Sequence, residues 1–310
     1  MRRGHRPTAP SSDLDSLFSC CASHRCKVRQ IADICGGTMT VFKHFPASPL
    51  NEIVELFWYS VRGPAPLRGT SREAILPDAC AHLVINLSEN RIGLYERIET
   101  NRLATLGGSI FSGPRSFPYA IVPRAAAVIG VAFKPGGVVR LLSAPTEEFR
   151  DTQVPLEFVT GGDELRDRLI AAPTVASRFL LMEKFLLRQL QHSRALHRAV
   201  RYAVNVFEQT PCLSVATVLN QIGLSERRFS RIFSEQVGLT PKLFQRVRRF
   251  QRTLTSLPSR GDIDWAATAF ANGYYDQAHF INDFRAFTSV TPSDFLAQRI
   301  AQRNHLPLPS

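Results

Sequence analysis

Along Glu226–Val237, ERRFSRIFSEQV, the residues Arg227, Ser230, Arg231 and Ser234 stand at i, i+3, i+4 and i+7. That spacing puts all four on one face of an α-helix. The opposite face carries Phe229, Ile232, Phe233 and Val237, an apolar stripe fit for a core. No acidic residue stands on the outer stripe. Guanidinium and hydroxyl groups in this pattern hydrogen-bond phosphates and base edges, and Arg can hold guanine by two parallel bonds. The chemistry is recognition of a polyanion; the bland alternative is a solvated polar face.

The elements that must position this face are legible around it. Ser214 caps a helix whose Val215, Val218, Leu219 and Ile222 face inward, and Gly223 closes it. Ser225 caps the next helix, the one with the Arg/Ser face. Thr240 and Pro241 then start a long helix to Leu257, with Phe244, Val247, Phe250 and Leu254 as its inner stripe. Arg246, Arg248, Arg249 and Arg252 make this rod basic, with some Arg available for phosphates. Upstream, Leu196, Val200, Ala203, Val204 and Phe207 mark a further helix.

The whole unit occurs twice. Gly223–Phe244 is echoed by Gly273–Phe295, GYYDQAHFINDFRAFTSVTPSDF. Phe229/Phe280, Phe233/Phe284, Thr240/Thr291, Pro241/Pro292 and Phe244/Phe295 share an offset of 51. Each copy reads as helix, glycine turn, second helix, which is a helix-turn-helix module. In the second copy Trp265–Ala271 is the first helix, Asp276 caps the next, and Phe280, Phe284 and Phe287 point inward. The offset aligns Arg227, Ser230 and Arg231 with Ala278, Ile281 and Asn282. Gln277 and Asn282 suit adenine edges; Ala278 and Ile281 suit thymine methyls, unless Ile281 packs on a neighbouring helix. Arg228, His279 and Arg285 complete the expected DNA-binding set. The second module is the less basic, so the first is expected to be the affinity anchor.

Charge supports the same location. The 310-residue chain has a formal net charge of +12. Residues 194–310 hold 15 Lys/Arg, all but one Arg, against 8 Asp/Glu. A polyanionic partner fits that excess.

Residues 1–37 lack apolar periodicity and are expected to be a disordered tail, the true start lying at Met1 or at Met39. Residues 38–160 are β-rich. Glu55–Val61, His82–Ser88, Arg91–Ile98, Pro118–Pro123 and Ala127–Phe133 are short β-branched or aromatic runs between turn residues. They predict an antiparallel barrel or sandwich. A short helix is expected at Val138–Leu142. Residues 161–193 form a helical connector, with helices at Glu164–Ala171 and after Pro173-Thr174. The latter packs on the barrel, spaces the domains or forms a dimer seam. The fold class is α+β: a β-rich N-terminal domain and, over 194–303, an all-α domain of two helix-turn-helix modules joined by a long helix. No apolar run approaches 18 residues, so no membrane span is expected.

The second-module residues Gly273, Tyr274, Asp276, Ala278, His279, Phe280, Phe284, Thr291, Pro292 and Phe295 fit a long signature, G-Y-x-D-x-[SA]-H-F-x-x-x-F followed by T-P-x-x-[FY]. In this the chain closely resembles the AraC/XylS family of bacterial transcription regulators. The resemblance implies a double helix-turn-helix domain and a sequence-specific, effector-responsive regulator in the cytoplasm. Its partners would be double-stranded DNA, a small-molecule effector, RNA polymerase and a second copy of the chain; activation is the commoner outcome in the family. The family's base-contacting positions map onto Arg227, Ser230, Arg231, Gln277, Ala278 and Asn282. One departure stands out: the family usually has glycine two residues before the Thr, as at Gly238, and here Ser289 takes that place. FWY, ILPD, HLVINL, SGPR and GVAFKPGG resemble the N-terminal domain of one subgroup whose effectors are mostly unassigned. That implies a sensing or dimerising role. Asp78, His82, Asn86 and Arg115 either line a pocket there or are solvated loop residues.

An enzymatic alternative is a DNA-repair methyl acceptor, a cysteine–zinc domain fused to the same DNA-binding unit. Cys20, Cys21, Cys26 and Cys35 are spaced wrongly for such a zinc site. No His-x-His pair exists for a metal-dependent cupin. No cofactor, metal or catalysis is expected.

Overall fold

A computed structural model of the chain describes residues 26–32, 38–63, 72–99, 102–123, 125–160, 164–190, 194–210, 213–258, 263–298 and 304–308. The N-terminal strands are β1 (Cys26–Ala32), β2 (Thr38–His44), β3 (Val54–Arg62), β4 (Arg72–Ile75), β5 (His82–Asn86), β6 (Ile92–Tyr95), β7 (Ala104–Leu106), β8 (Ser109–Ser112), β9 (Tyr119–Ile121), β10 (Ala127–Phe133) and β11 (Gln153–Pro155). Helices α1 (Glu157–Thr160), α2 (Leu165–Ala171) and α3 (Val175–Gln189) follow. The C-terminal part holds α4 (Arg198–Gln209), α5 (Val215–Ile222), α6 (Glu226–Val237), α7 (Pro241–Ser256), α8 (Trp265–Ala271), α9 (Gln277–Thr288), α10 (Pro292–Gln298) and a last strand, β12 (His305–Leu308).

The strands form two open sheets rather than a closed barrel. One runs β1-β2-β3-β10-β5-β8-β11 and the other β12-β4-β9-β6-β7. The expected tail contains a strand: Cys26–Ala32 pairs antiparallel with Thr38–His44, because an extended segment beside an open sheet edge satisfies its backbone there. The rest of the expected tail, including Cys20, Cys21 and Cys35, lies outside the described residues. The expected helix at Val138–Leu142 is a 3-10 turn at Gly137–Arg140.

The larger sheet buries Phe42, Phe57, Leu83, Ile85, Phe111, Ile129, Val131 and Phe133. Against them α3 lays Phe179, Met182, Phe185 and Leu186, all at most 3% exposed. That packing decides what the sequence left open: this stripe of α3 belongs to the domain core. Thr174 caps α3 in a reciprocal pair with Ser177.

The smaller sheet has a different role. Its Ala74 and Ala120, with Leu76 and Ile98 in the adjoining loops, share one core with the helical domain. The chain's last strand returns to it: β12 pairs antiparallel with β4, from His305 opposite Ile75 to Leu308 opposite Arg72. Leu306 is fully buried, and His305 pairs with the buried carboxylate of Glu73. The helical domain is thus tied to the β domain by a shared core and by its C-terminal strand.

Inside the helical domain the Phe stripes interlock. Phe233 lies 5.5 Å from Phe244 and 6.4 Å from Phe207, and Phe284 lies 5.5 Å from Phe250 and 5.4 Å from Phe295, mostly edge to face. Truncating one such fully buried ring to Ala costs about 3–5 kcal/mol. These rings fix where the outer faces of α6 and α9 stand.

Candidate nucleic-acid interface

The expected caps are in place. Ser214 accepts from the Thr217 amide, Ser225 from Arg228, Thr240 from Leu243 and Asp276 from His279. Gly223, Gly238 and Gly273 adopt φ of 69°, 89° and 78°, the left-handed conformation that ends a helix cheaply on glycine. Caps and glycines together set the turn between the two helices of each module.

On α6, Arg227, Arg228 and Arg231 are exposed and Ser230 is half-buried. Arg231 Nε lies 3.6 Å from Glu235, one turn on, so an acid flanks the face. Ser234 departs from the expectation of a free outer stripe. It is 8% exposed, because the β domain covers the C-terminal end of α6. The covering parts are the 3-10 turns Gly137–Arg140 and Thr146–Phe149. A Cβ on Gly238 would come within 2.8 Å of Pro114 and 3.1 Å of Thr146. The first module's basic face is therefore open in its N-terminal half and covered at its far end.

On α9, Gln277, Ala278, Asn282 and Arg285 are exposed. Ile281 is half-buried and packs against the helical core, so the packing alternative describes it. His279 is also half-buried, edge-on to Tyr274 at 5.4 Å and 3.7 Å from Asp283. Asp283 is 4% exposed and takes two bonds from Arg246 of α7, at 2.6 and 3.2 Å. That pair pins α9 to the connecting rod α7.

The basic rod is thus partly committed to protein contacts. Besides the pairing of Arg246, Arg248 pairs with Glu208 of α4 at 2.9 Å and donates to the Asp78 carbonyl at 3.2 Å. Gln251 donates to the Pro77 carbonyl at 2.7 Å in a buried bond. The loop Leu76–Ala81 is clamped on α7, with Ala79 fully buried at φ 62°. Nothing in local sequence marked Arg248 or Gln251 for this loop, because the partners lie about 170 positions away in the chain.

The four polar residues considered for a pocket are engaged elsewhere. His82 pairs with Asp78 at 2.8 Å. Burial alone would raise the Asp78 carboxyl, but the His82 charge and hydrogen bond, the Cys80 amide and Arg248 hold it below its ordinary value. Burial alone would lower His82, and Asp78 outweighs that to raise it. Asn86 accepts from the Ser88 and Glu89 amides and donates to the Arg91 carbonyl, tying a turn. Arg115 is 3% exposed, donates to the Asp151 and Glu96 carbonyls, and stacks over Tyr119.

Residues 218–298 match the family model of a helix-turn-helix domain, the AraC-type one. The chain carries an AraC-type helix-turn-helix domain and is a DNA-binding transcription regulator. The regulator's residues 42–155 match a second model, a domain of unknown function (DUF6597). No curated protein matches the regulator. Among solved structures it is similar to the C-terminal domain of AraT, a response regulator from Geobacillus stearothermophilus, at 20% identity over 35% of this chain and 92% of that one, TM-score 0.32. It is similar to ToxT from Vibrio cholerae at 9% identity over 73% and 96%, TM-score 0.45. It is also similar to wild-type ToxT bound to an unsaturated fatty acid at 10% identity over 88% and 95%, TM-score 0.41. Among its described residues no helix is long and apolar enough to cross a membrane.

Proposed function

We propose that the regulator reads DNA with both modules at once, placing α6 and α9 in successive major-groove segments on one side of the duplex, about 34 Å apart. The observation that carries the reading is the paired exposure of equivalent helix faces. Arg227, Arg228 and Arg231 stand open on α6, and Gln277, Ala278 and Asn282 stand open on α9, each helix capped and backed by buried Phe. Arg227, Arg231, Gln277 and Asn282 read base edges, while Arg228 and Arg285 hold phosphates.

The β domain is the regulatory half in this reading, answering to a small-molecule effector. What supports it is position: the domain touches the rod through Leu76–Ala81 and covers the far end of α6. A rearrangement there alters how much of the first module faces DNA. Contact with RNA polymerase and pairing of two copies belong to the same reading.

The reading assigns no catalysis to either domain. Cys80 is buried, and burial followed by the Asp78 charge pushes its thiol well up, so it stays protonated and a poor nucleophile.

Selection of bound duplexes from a random pool tests the proposal. Two half-sites one helical turn apart are expected. On the selected site Arg231→Ala should weaken binding by about 1–3 kcal/mol and relax one base position. A single short motif, or an Arg231→Ala protein that binds selected and random DNA like wild type, sinks it.

A further inference from the structure

Two large aromatic side chains of the second module stand bare in solvent. Phe270, in the last turn of α8, is 83% exposed, and Tyr275, in the turn before α9, is 91% exposed. Neither belongs to the apolar stripe that packs the helical core. With Arg249, Gly273, Tyr274 and His279 they line a shallow open groove of ≈ 600 Å³. The lining holds a full cation, Arg249, and no acid. The Arg249 guanidinium sits 5.1 Å from the Tyr274 ring centre, and among the described residues Arg249 forms no ion pair.

The groove's place in the module names its occupant. Tyr275 immediately precedes Asp276, the cap of α9, so the groove runs directly into the exposed Gln277 and Ala278. In a docked helix-turn-helix the first helix and the turn cross the sugar–phosphate strand beside the entered groove. That strand offers apolar deoxyribose edges alternating with phosphates. Exposed aromatic rings beside an unpaired guanidinium match that alternation. We infer that Phe270, Tyr275 and Arg249 form a backbone clamp on duplex DNA, gripping one strand where α9 enters the major groove. The clamp is indifferent to sequence, because deoxyribose and phosphate carry no base information. It supplies the second module with the affinity that its nearly neutral recognition face lacks. The inference rests on the two-module reading above.

The test measures binding of the full chain to the selected operator and to a random duplex of equal length. The Phe270→Ala/Tyr275→Ala double variant is expected to weaken both about tenfold, leaving their ratio unchanged. Arg249→Gln is expected to lower the slope of log affinity against log salt by about one. Arg231→Ala, run beside them, is expected to weaken the operator more than the random duplex. Both aromatic side chains are exposed, so an unchanged melting curve accompanies the double variant. If Arg231→Ala behaves as expected while the aromatic variant binds both duplexes like wild type, the clamp is overturned. In that case loss of transcription with purified polymerase would assign the groove to a protein partner. If Arg231→Ala is also without effect, the two-module reading falls as well.

Discussion

The Ser289 hydroxyl donates to the Glu99 carboxylate at 3.1 Å, bridging the turn after α9 to the β domain. Ser289 holds φ 62°, left-handed like Gly238 at the matching turn of the first module. A side chain at that backbone angle costs about 1 kcal/mol relative to glycine. A solvent-exposed hydrogen bond returns about as much. Ser289, standing where the first module has Gly238, therefore links the two domains where glycine could not.

Those two terms separate by substitution. Ser289→Ala keeps the backbone angle and loses the bond, whereas Ser289→Gly relieves the angle. Glycine should be the more stable of the two variants by about 1 kcal/mol in urea titrations. Equal stabilities would mean the left-handed conformation carries no cost here.

Gln251→Ala should loosen the clamp on Leu76–Ala81. It leaves the buried Pro77 carbonyl without its donor, a loss of about 1–3 kcal/mol. Limited proteolysis of the interdomain loops should accelerate with it. Wild-type stability and an unchanged digestion rate would show that the contact contributes nothing.

The His82–Asp78 pair gives the interface a pH dependence of known sign. The raised His82 contributes stability that is full below its unfolded value near pH 6.5 and is lost as pH rises through the higher folded value. The lowered Asp78 contributes stability that is full above about pH 3.9 and is lost as pH falls through the lower folded value. Both shares are complete between about pH 4 and 6.5. His82→Gln should flatten the decline on the alkaline side of that window. A melting temperature with the same pH profile in variant and wild type would contradict the assignment.

Removing residues 304–310 should destabilise the β domain as well as the helical one. The deletion exposes the apolar site of Leu306, worth about 1.5–3 kcal/mol, and turns β4 into an open edge. A lower melting temperature and greater light scattering on heating are expected. A truncated chain that melts and scatters like the full one would show that β12 is dispensable.

The helical half was legible in sequence because its signals are local. A cap such as Ser225 or Asp276 acts within four residues, and a stripe such as Phe244, Val247, Phe250 and Leu254 repeats within three turns. Those terms act before any distant contact forms, and the exposed Arg227, Arg231, Gln277 and Asn282 follow from them. The β half was less legible. Three-residue strands such as Ala104–Leu106 and Gln153–Pro155 are too short for a period, and their existence depends on partners far along the chain. Ile281 and Ser234 show the same limit within the site itself. Helical spacing places both on the outer face, but one packs against the helical core and the other lies beneath the β domain. The sequence by itself thus determined the two helix-turn-helix modules and the polar outer faces of α6 and α9, since capping and periodicity need only near neighbours. Which part of each face meets solvent, and how Leu76–Ala81 and β12 join the domains, was decided only by tertiary packing, where surfaces distant in sequence compete for the same contact.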